Sequence, residues 1–228
     1  MTTRKRSEEI TESVLRQIGV GTLSPEEIIP SEIIMCNIYG VTRGVVREAI
    51  RTLEEKGFVK VSQGMPTKVA PPQEWNVLDP IWVELHSDNS YFEDLYATRM
   101  MLEPEIAALA AINAKNSNID ELQNLIKEQT LCLADSGNFA NKDASWHSAL
   151  ASATQNPILN QIHNSIVILG TKMRVQANKS PEASERGIYW HKKILHAVLI
   201  NDPDLARESM RNHLDQVHKD LLISLNYN

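Results

Sequence analysis

Four side chains in this sequence have the types and spacing to hold one metal ion: Asp143, His147, His191 and His213. Asp143 and His147 stand four apart in the run DASWHSALASATQNP. On a helix that spacing sets both on one face, with about 5–6 Å between Cβ atoms, the reach of two ligands on one ion. His191 and His213 are each eleven residues from Asp202. If Asp202 marks the turn of an antiparallel helical hairpin, the two imidazoles lie level, roughly 16 Å from the turn. Three imidazoles and one carboxylate suit a borderline divalent ion, Zn2+ first and Ni2+ or Mn2+ as alternatives, with room for water or a ligand oxygen. A single histidine is more often a surface or hydrogen-bonded core residue, and His86, His163, His196 and His218 are read that way. The quartet differs because the i,i+4 pair and the level match are independent coincidences.

A second constellation is cationic. Arg43, Arg47 and Arg51 recur every four residues after Thr42. At about 100° per residue they form a stripe roughly 110° from the apolar one made by Val46, Ala49, Ile50 and Leu53. One face then packs inward while another presents guanidiniums, as a helix in the major groove of DNA requires. The planar fork of arginine can bond guanine edges or phosphate bidentately. Thr42, at the helix N-terminus, suits a phosphate oxygen. The alternative is a solvated face on which the arginines pair with Glu48, Glu54 and Glu55.

The elements that must position these groups follow from periodicity and punctuation. Ile10, Val14, Leu15 and Ile18 make a helical stripe closed by Gly19-Val20-Gly21. Ser31 is a reasonable N-cap for a short helix through Asn37, and Thr42 caps the next, which ends at Gly57. Phe58 to Val61 alternates like a strand, and Gln63-Gly64-Met65-Pro66 is a turn before Thr67-Lys68-Val69. Three helices and a β-hairpin describe a winged helix-turn-helix over residues 1–70. Ala70-Pro71-Pro72-Gln73 is stiffened by two prolines, so residues 71–77 are expected to be a linker. Residues 78–228 read as an all-α antiparallel bundle of about six or seven helices, three of them opened by Asn156-Pro157, Ser180-Pro181 and Asp202-Pro203. Pro104 falls inside a helical run and is expected to kink it. The fold class is therefore mainly α.

Composition agrees. The 228 residues are 42% hydrophobic and 23% charged, enough to bury a core. Two distant cysteines, Cys36 and Cys132, favour free thiols in a reducing cytosol. There is neither a signal-peptide pattern nor an apolar run of the roughly 20 residues a membrane span needs, so a cytoplasmic location is expected. The net charge of −6 is uneven: residues 1–75 hold 10 basic and 10 acidic residues, the remainder 13 and 19. DNA affinity depends on local phosphate neutralisation, so a neutral first third with clustered arginines is compatible with it.

The run IIPSEIIMCNIYGVTRGVVREAIRTLEEKGFVKV resembles the DNA-binding domain of the GntR family of bacterial regulators, with PSE, GVTR and VREAIRTLEEKG at the family's spacing. The resemblance implies a homodimer on an inverted repeat of double-stranded DNA. Thr42, Arg43 and Arg47 then stand where bases and phosphates are contacted, with Ser31 and Arg51 beside them and Gly64 at the tip of the wing. Ile33 departs from the family, which usually has a basic residue after the Glu of PSE. The fragments RMMLEPEIAALAA, DASWHSALASATQNP, WHKKILHAVLINDPDLA and MRNHL resemble the ligand-binding FCD domain of the FadR-like subgroup. That implies metal ligands at Asp143, His147, His191 and His213, and a small organic acid as effector. Trp146 stands where phenylalanine is commoner. An anion in a buried pocket needs a cationic clamp. Arg99 is the first choice, because RMMLE matches a helix facing the pocket; its alternative is an i,i+4 pair with Glu103. Arg174 is the second choice. WNVLDP resembles members that respond to sugar acids.

The function expected is an effector-controlled transcription regulator, a repressor, with no enzymatic activity. An acyl-CoA-responsive regulator is an alternative, because GMPTKV resembles the family's fatty-acid regulator, but that type lacks the quartet. A metal-dependent hydrolase fused to a DNA-binding module is a further alternative, although the chain has neither HExxH nor GxSxG.

Overall fold

The computed structural model describes residues 3–86 and 89–226. The chain divides into two compact units, Met1–Ser87 and Asp88–Asn228. Among the described residues no helix is long and apolar enough to cross a membrane.

The first unit begins with helices α1 (Thr3–Gly19), α2 (Glu32–Tyr39) and α3 (Arg43–Glu55), followed by strands β1 (Val59–Lys60) and β2 (Lys68–Val69). The apolar stripe of α1 and the Val46, Ala49 and Leu53 face of α3 are buried together with Met35 and Phe58. Gly40 ends α2 at φ 61, a left-handed conformation that costs a glycine little, and its N–H bonds the Cys36 carbonyl. The strands pair antiparallel, Val59 with Val69 and Lys60 with Lys68, and Ile28 forms a bridge to Lys68. Three helices and this hairpin make the winged helix-turn-helix.

Trp75, Ile81 and Trp82 pack into the core of this unit, so the boundary lies further along than the linker expected at 71–77. The reason is aromatic. Trp75 and Trp82 lie with ring centroids 5.0 Å apart, and Trp82 is 4.8 Å from Phe58. The Trp75 indole N–H donates to the Ala70 carbonyl at 2.8 Å. Gly57 permits the approach: a Cβ there would lie 2.1 Å from the Glu74 carbonyl oxygen. A short helix α4 (Pro80–His86) follows, its first amides bonded to Asp79 Oδ1 at 3.1 and 3.3 Å.

The second unit contains α5 (Asn89–Asn113), α6 (Asn116–Thr130), α7 (Ser136–Ala153), α8 (Pro157–Leu169), α9 (Thr171–Ala177), α10 (Pro181–Leu199) and α11 (Pro203–Asn226). The expected helix starts are present. Asn156 accepts from the amides of Ile158 and Leu159, Ser180 from Ala183 and Asp202 from Leu205. Helix α11 packs along α5 and α10, and α6 along α7. Leu122, Phe139, Trp146, Leu150, Ile194 and Met210 belong to the shared core. Pro104 lies inside α5, which continues through it to Asn113.

Candidate metal centre and DNA-reading face

Helix α7 carries Asp143 and His147, α10 carries His191 and α11 carries His213; all four are buried. Each offers a ligand atom within 4.8 Å of the others. His147 Nε2 is 3.3 Å from His213 Nε2 and 3.8 Å from Asp143 Oδ2, and His191 Nε2 is 3.5 Å from Asp143 Oδ1. Ligands about 2.0–2.1 Å from one tetrahedral ion stand roughly 3.4 Å apart, so these separations fit a shared ion. His191 Nε2 is also buried with no hydrogen-bond partner. An orphaned ring nitrogen in a dry interior is costly unless something accepts its lone pair. Three imidazoles and a carboxylate would supply a compatible donor set, and a divalent ion held there would add a Lewis-acidic position for an oxygen ligand.

The imidazoles are held neutral, as ligation requires. Burial pushes the His191 pKa well below the ordinary value, and the neighbouring His147 adds to that. Burial does the same for His213, reinforced by His191 and His147. For His147 burial lowers the pKa, opposed by the carboxylates of Glu103 and Asp143.

A layer of polar side chains surrounds the quartet, and much of it was not foreseen from the sequence. Gln129 Oε1 lies 2.9 Å from His191 Nδ1. Glu103 Oε2 lies 2.9 Å from His147 Nδ1, although off the line of a ring N–H bond. Glu103 Oε1 is 3.7 Å from His163 Nε2. Trp146 stacks on His191, centroids 3.9 Å apart. Glu103, His147 and His163 could themselves be read as a ligand set. Both Glu103 oxygens, however, accept from Arg99, Nε at 2.6 Å and Nη2 at 3.2 Å. A second cation would sit against that guanidinium, so this group reads as outer support for His147. Burial would raise the Glu103 pKa, but Arg99 and then His147 outweigh it and hold the carboxyl well below its usual range.

The two arginines expected to clamp an effector are both buried here. Arg99 is engaged by Glu103, the pairing weighed as its alternative. Arg174 bonds Asp143 Oδ2 through Nε at 3.0 Å and the Val167 carbonyl through Nη1 at 2.9 Å. Its Nη2 is buried and unpartnered. Gly170 makes room for it, since a Cβ there would lie 2.3 Å from Arg174 Nη1.

On the first unit, Arg43, Arg47 and Arg51 are exposed along α3, and Ser31, Thr42 and Gly64 are exposed too. Ser31 and Thr42 precede α2 and α3 without a side-chain capping bond. Arg47 Nε contacts both oxygens of Glu32 at 3.0 and 3.1 Å, and Arg51 pairs with Glu55 at 2.9 Å. The Glu55 pairing was one of the alternatives; Glu32 was not anticipated. Both are exposed ion pairs, worth roughly 0–1 kcal/mol and easily exchanged for a phosphate. Gly64 turns the hairpin at φ 75.

Comparison with known proteins accords with this arrangement. Residues 6–69 match the bacterial regulatory proteins of the gntR family and residues 94–216 match the FCD domain. The chain is similar to the galactonate operon transcriptional repressor of Escherichia coli K12, 26% identical over 212 residues, covering 91% of this chain and 93% of that one. It is also 26% identical over 222 residues to the transcriptional repressor NanR of Citrobacter rodentium, covering 94% and 84%. Among solved structures, Lar, which controls expression of the Listeria monocytogenes agr system, superposes with a TM-score of 0.68 at 18% identity over 95% of this chain and 96% of that one. McbR/YncC of E. coli does so with a TM-score of 0.56 at 17% identity over 98% and 99%. With a helical FCD domain following its winged helix-turn-helix, the chain belongs to the gntR family of bacterial regulatory proteins, and it is a transcription regulator rather than an enzyme.

Proposed function

We propose that this regulator is a homodimeric repressor of the cytosol that binds an inverted repeat of double-stranded DNA and is controlled by a small organic acid. Ser31, Thr42, Arg43, Arg47, Arg51 and Gly64 contact the DNA. Asp143, His147, His191 and His213 hold a divalent ion, Zn2+ by preference for this donor set and Ni2+ or Mn2+ as alternatives. Arg174, with Arg99, faces the acid.

One observation carries the sensing reading: the charge balance around the quartet. Arg99 and Arg174 balance Glu103 and Asp143, all four buried. A divalent ion on neutral imidazoles therefore leaves two positive charges in a dry interior, where an uncompensated charge is expensive. An acid offsets that charge with its carboxylate at the metal and at Arg174 Nη2, which has a donor to spare. A sugar acid adds hydroxyl oxygens able to reach the same ion. The galactonate repressor among the relatives supports this class.

Control follows if the acid prefers the conformer whose two recognition helices are wrongly spaced for successive major grooves. The test is a mobility shift of the chain's own promoter DNA with metal-loaded protein and a panel of aldonates. A retarded band released by one of them is expected. No retardation of any promoter fragment would refute the DNA reading, and retardation unaffected by every acid would refute the effector class.

A further inference from the structure

Gln129, in the last turn of α6, is completely buried and touches two of the helices that carry the quartet. Its Nε2 donates to the carbonyl of Lys142 on α7, 3.4 Å away and adjacent to Asp143. Its Oε1 lies 2.9 Å from Nδ1 of His191 on α10. A backbone carbonyl can only accept, so the amide NH2 must face Lys142 and the amide oxygen must face His191. The amide oxygen also only accepts. The proton of neutral His191 therefore belongs on Nδ1, and the free lone pair on Nε2. That Nε2 is one of the buried atoms without a hydrogen-bond partner, 3.5 Å from Asp143 Oδ1. Trp146 stacks on the same ring with planes 15° from parallel and so restricts its rotation.

We infer that Gln129 is a positioning residue for the metal centre: it locks His191 in the tautomer whose Nε2 can ligate. The inference rests on reading the quartet as a metal site. It also makes the site asymmetric, because His147 is backed by the carboxylate of Glu103 and His191 by an uncharged amide. Loss of such a partner typically lowers metal affinity 10–100-fold.

The experiment pairs Zn2+ titration against a chromophoric chelator with long-range 1H–15N spectra of metal-free, full-length protein labelled at histidine. The wild type should show His191 protonated at Nδ1. Gln129→Leu should bind Zn2+ about 10–100-fold more weakly. Gln129→Glu keeps an acceptor at His191 but loses the donor to Lys142, and should retain wild-type affinity. A side chain that merely ties helices together would fail in both variants, so equal losses in Leu and Glu would overturn the inference. So would a wild-type His191 protonated at Nε2, a result that leaves the metal reading standing. If Gln129→Leu does not fold, the Glu variant and the wild-type spectrum decide. Wild-type protein with the expected tautomer and no affinity for Zn2+ would remove the metal reading, and this inference with it.

Discussion

Each imidazole of the quartet is kept neutral by its surroundings, and this has a consequence for stability. The unfolded chain protonates its histidines near pH 6.5. In the folded protein, burial first and neighbouring imidazoles second push His191 and His213 well below that value. Below about pH 6.5 the unfolded state then binds more protons than the native one, and acidification favours unfolding. The histidine contribution is fully present above pH 6.5 and is lost as pH falls towards the native-state values. In chelator, the urea midpoint should drop between pH 7.5 and pH 5.5, with a smaller drop in His213→Gln; a midpoint independent of pH would contradict the assignment. At this scale the sequence was informative where spacing is local or symmetric. The i,i+4 pair and the equal distances from Asp202 singled out all four residues that converge. Gln129 was invisible, because its partner is 62 residues away and only packing brings them together. Glu103 was partly visible through its i,i+4 spacing from Arg99, but its approach to His147 and His163 depends on α5, α7 and α8 meeting.

At the scale of elements, the α10–α11 hairpin sets the level of His191 against His213. Its turn includes Asn201 at φ 55, a left-handed conformation that asparagine and glycine adopt at little cost. Asn201→Val should destabilise the protein by about 1–2 kcal/mol and Asn201→Gly by far less, measured by chemical denaturation. Equal effects would mean that the turn does not hold this conformation in solution. Helix starts were legible because an N-cap before proline marks both the cap and the fixed φ of the first helical residue. The end of the first unit was not. Pro71-Pro72 suggests a linker, yet the chain beyond it folds back because Trp75 and Trp82 find Phe58, and no local pattern announces a pairing of aromatic rings.

On the scale of the whole molecule, the chain combines a basic helix face with an acidic remainder, so its −6 net charge does not argue against DNA binding. Three buried imidazoles, two buried arginines and the two buried carboxylates of Glu103 and Asp143 form one electrostatic unit, neutral as it stands and calling for an anion once it takes up the proposed divalent ion. The proposed small-acid effector rests on that unit. The decisive measurement is calorimetric titration of an aldonate into the full-length protein, loaded with Zn2+ and then stripped by chelator. Binding to the loaded protein that disappears on stripping, and is absent in His213→Ala, is the expected result. Equal binding by loaded and stripped protein would contradict the claim that the acid is held through the metal centre.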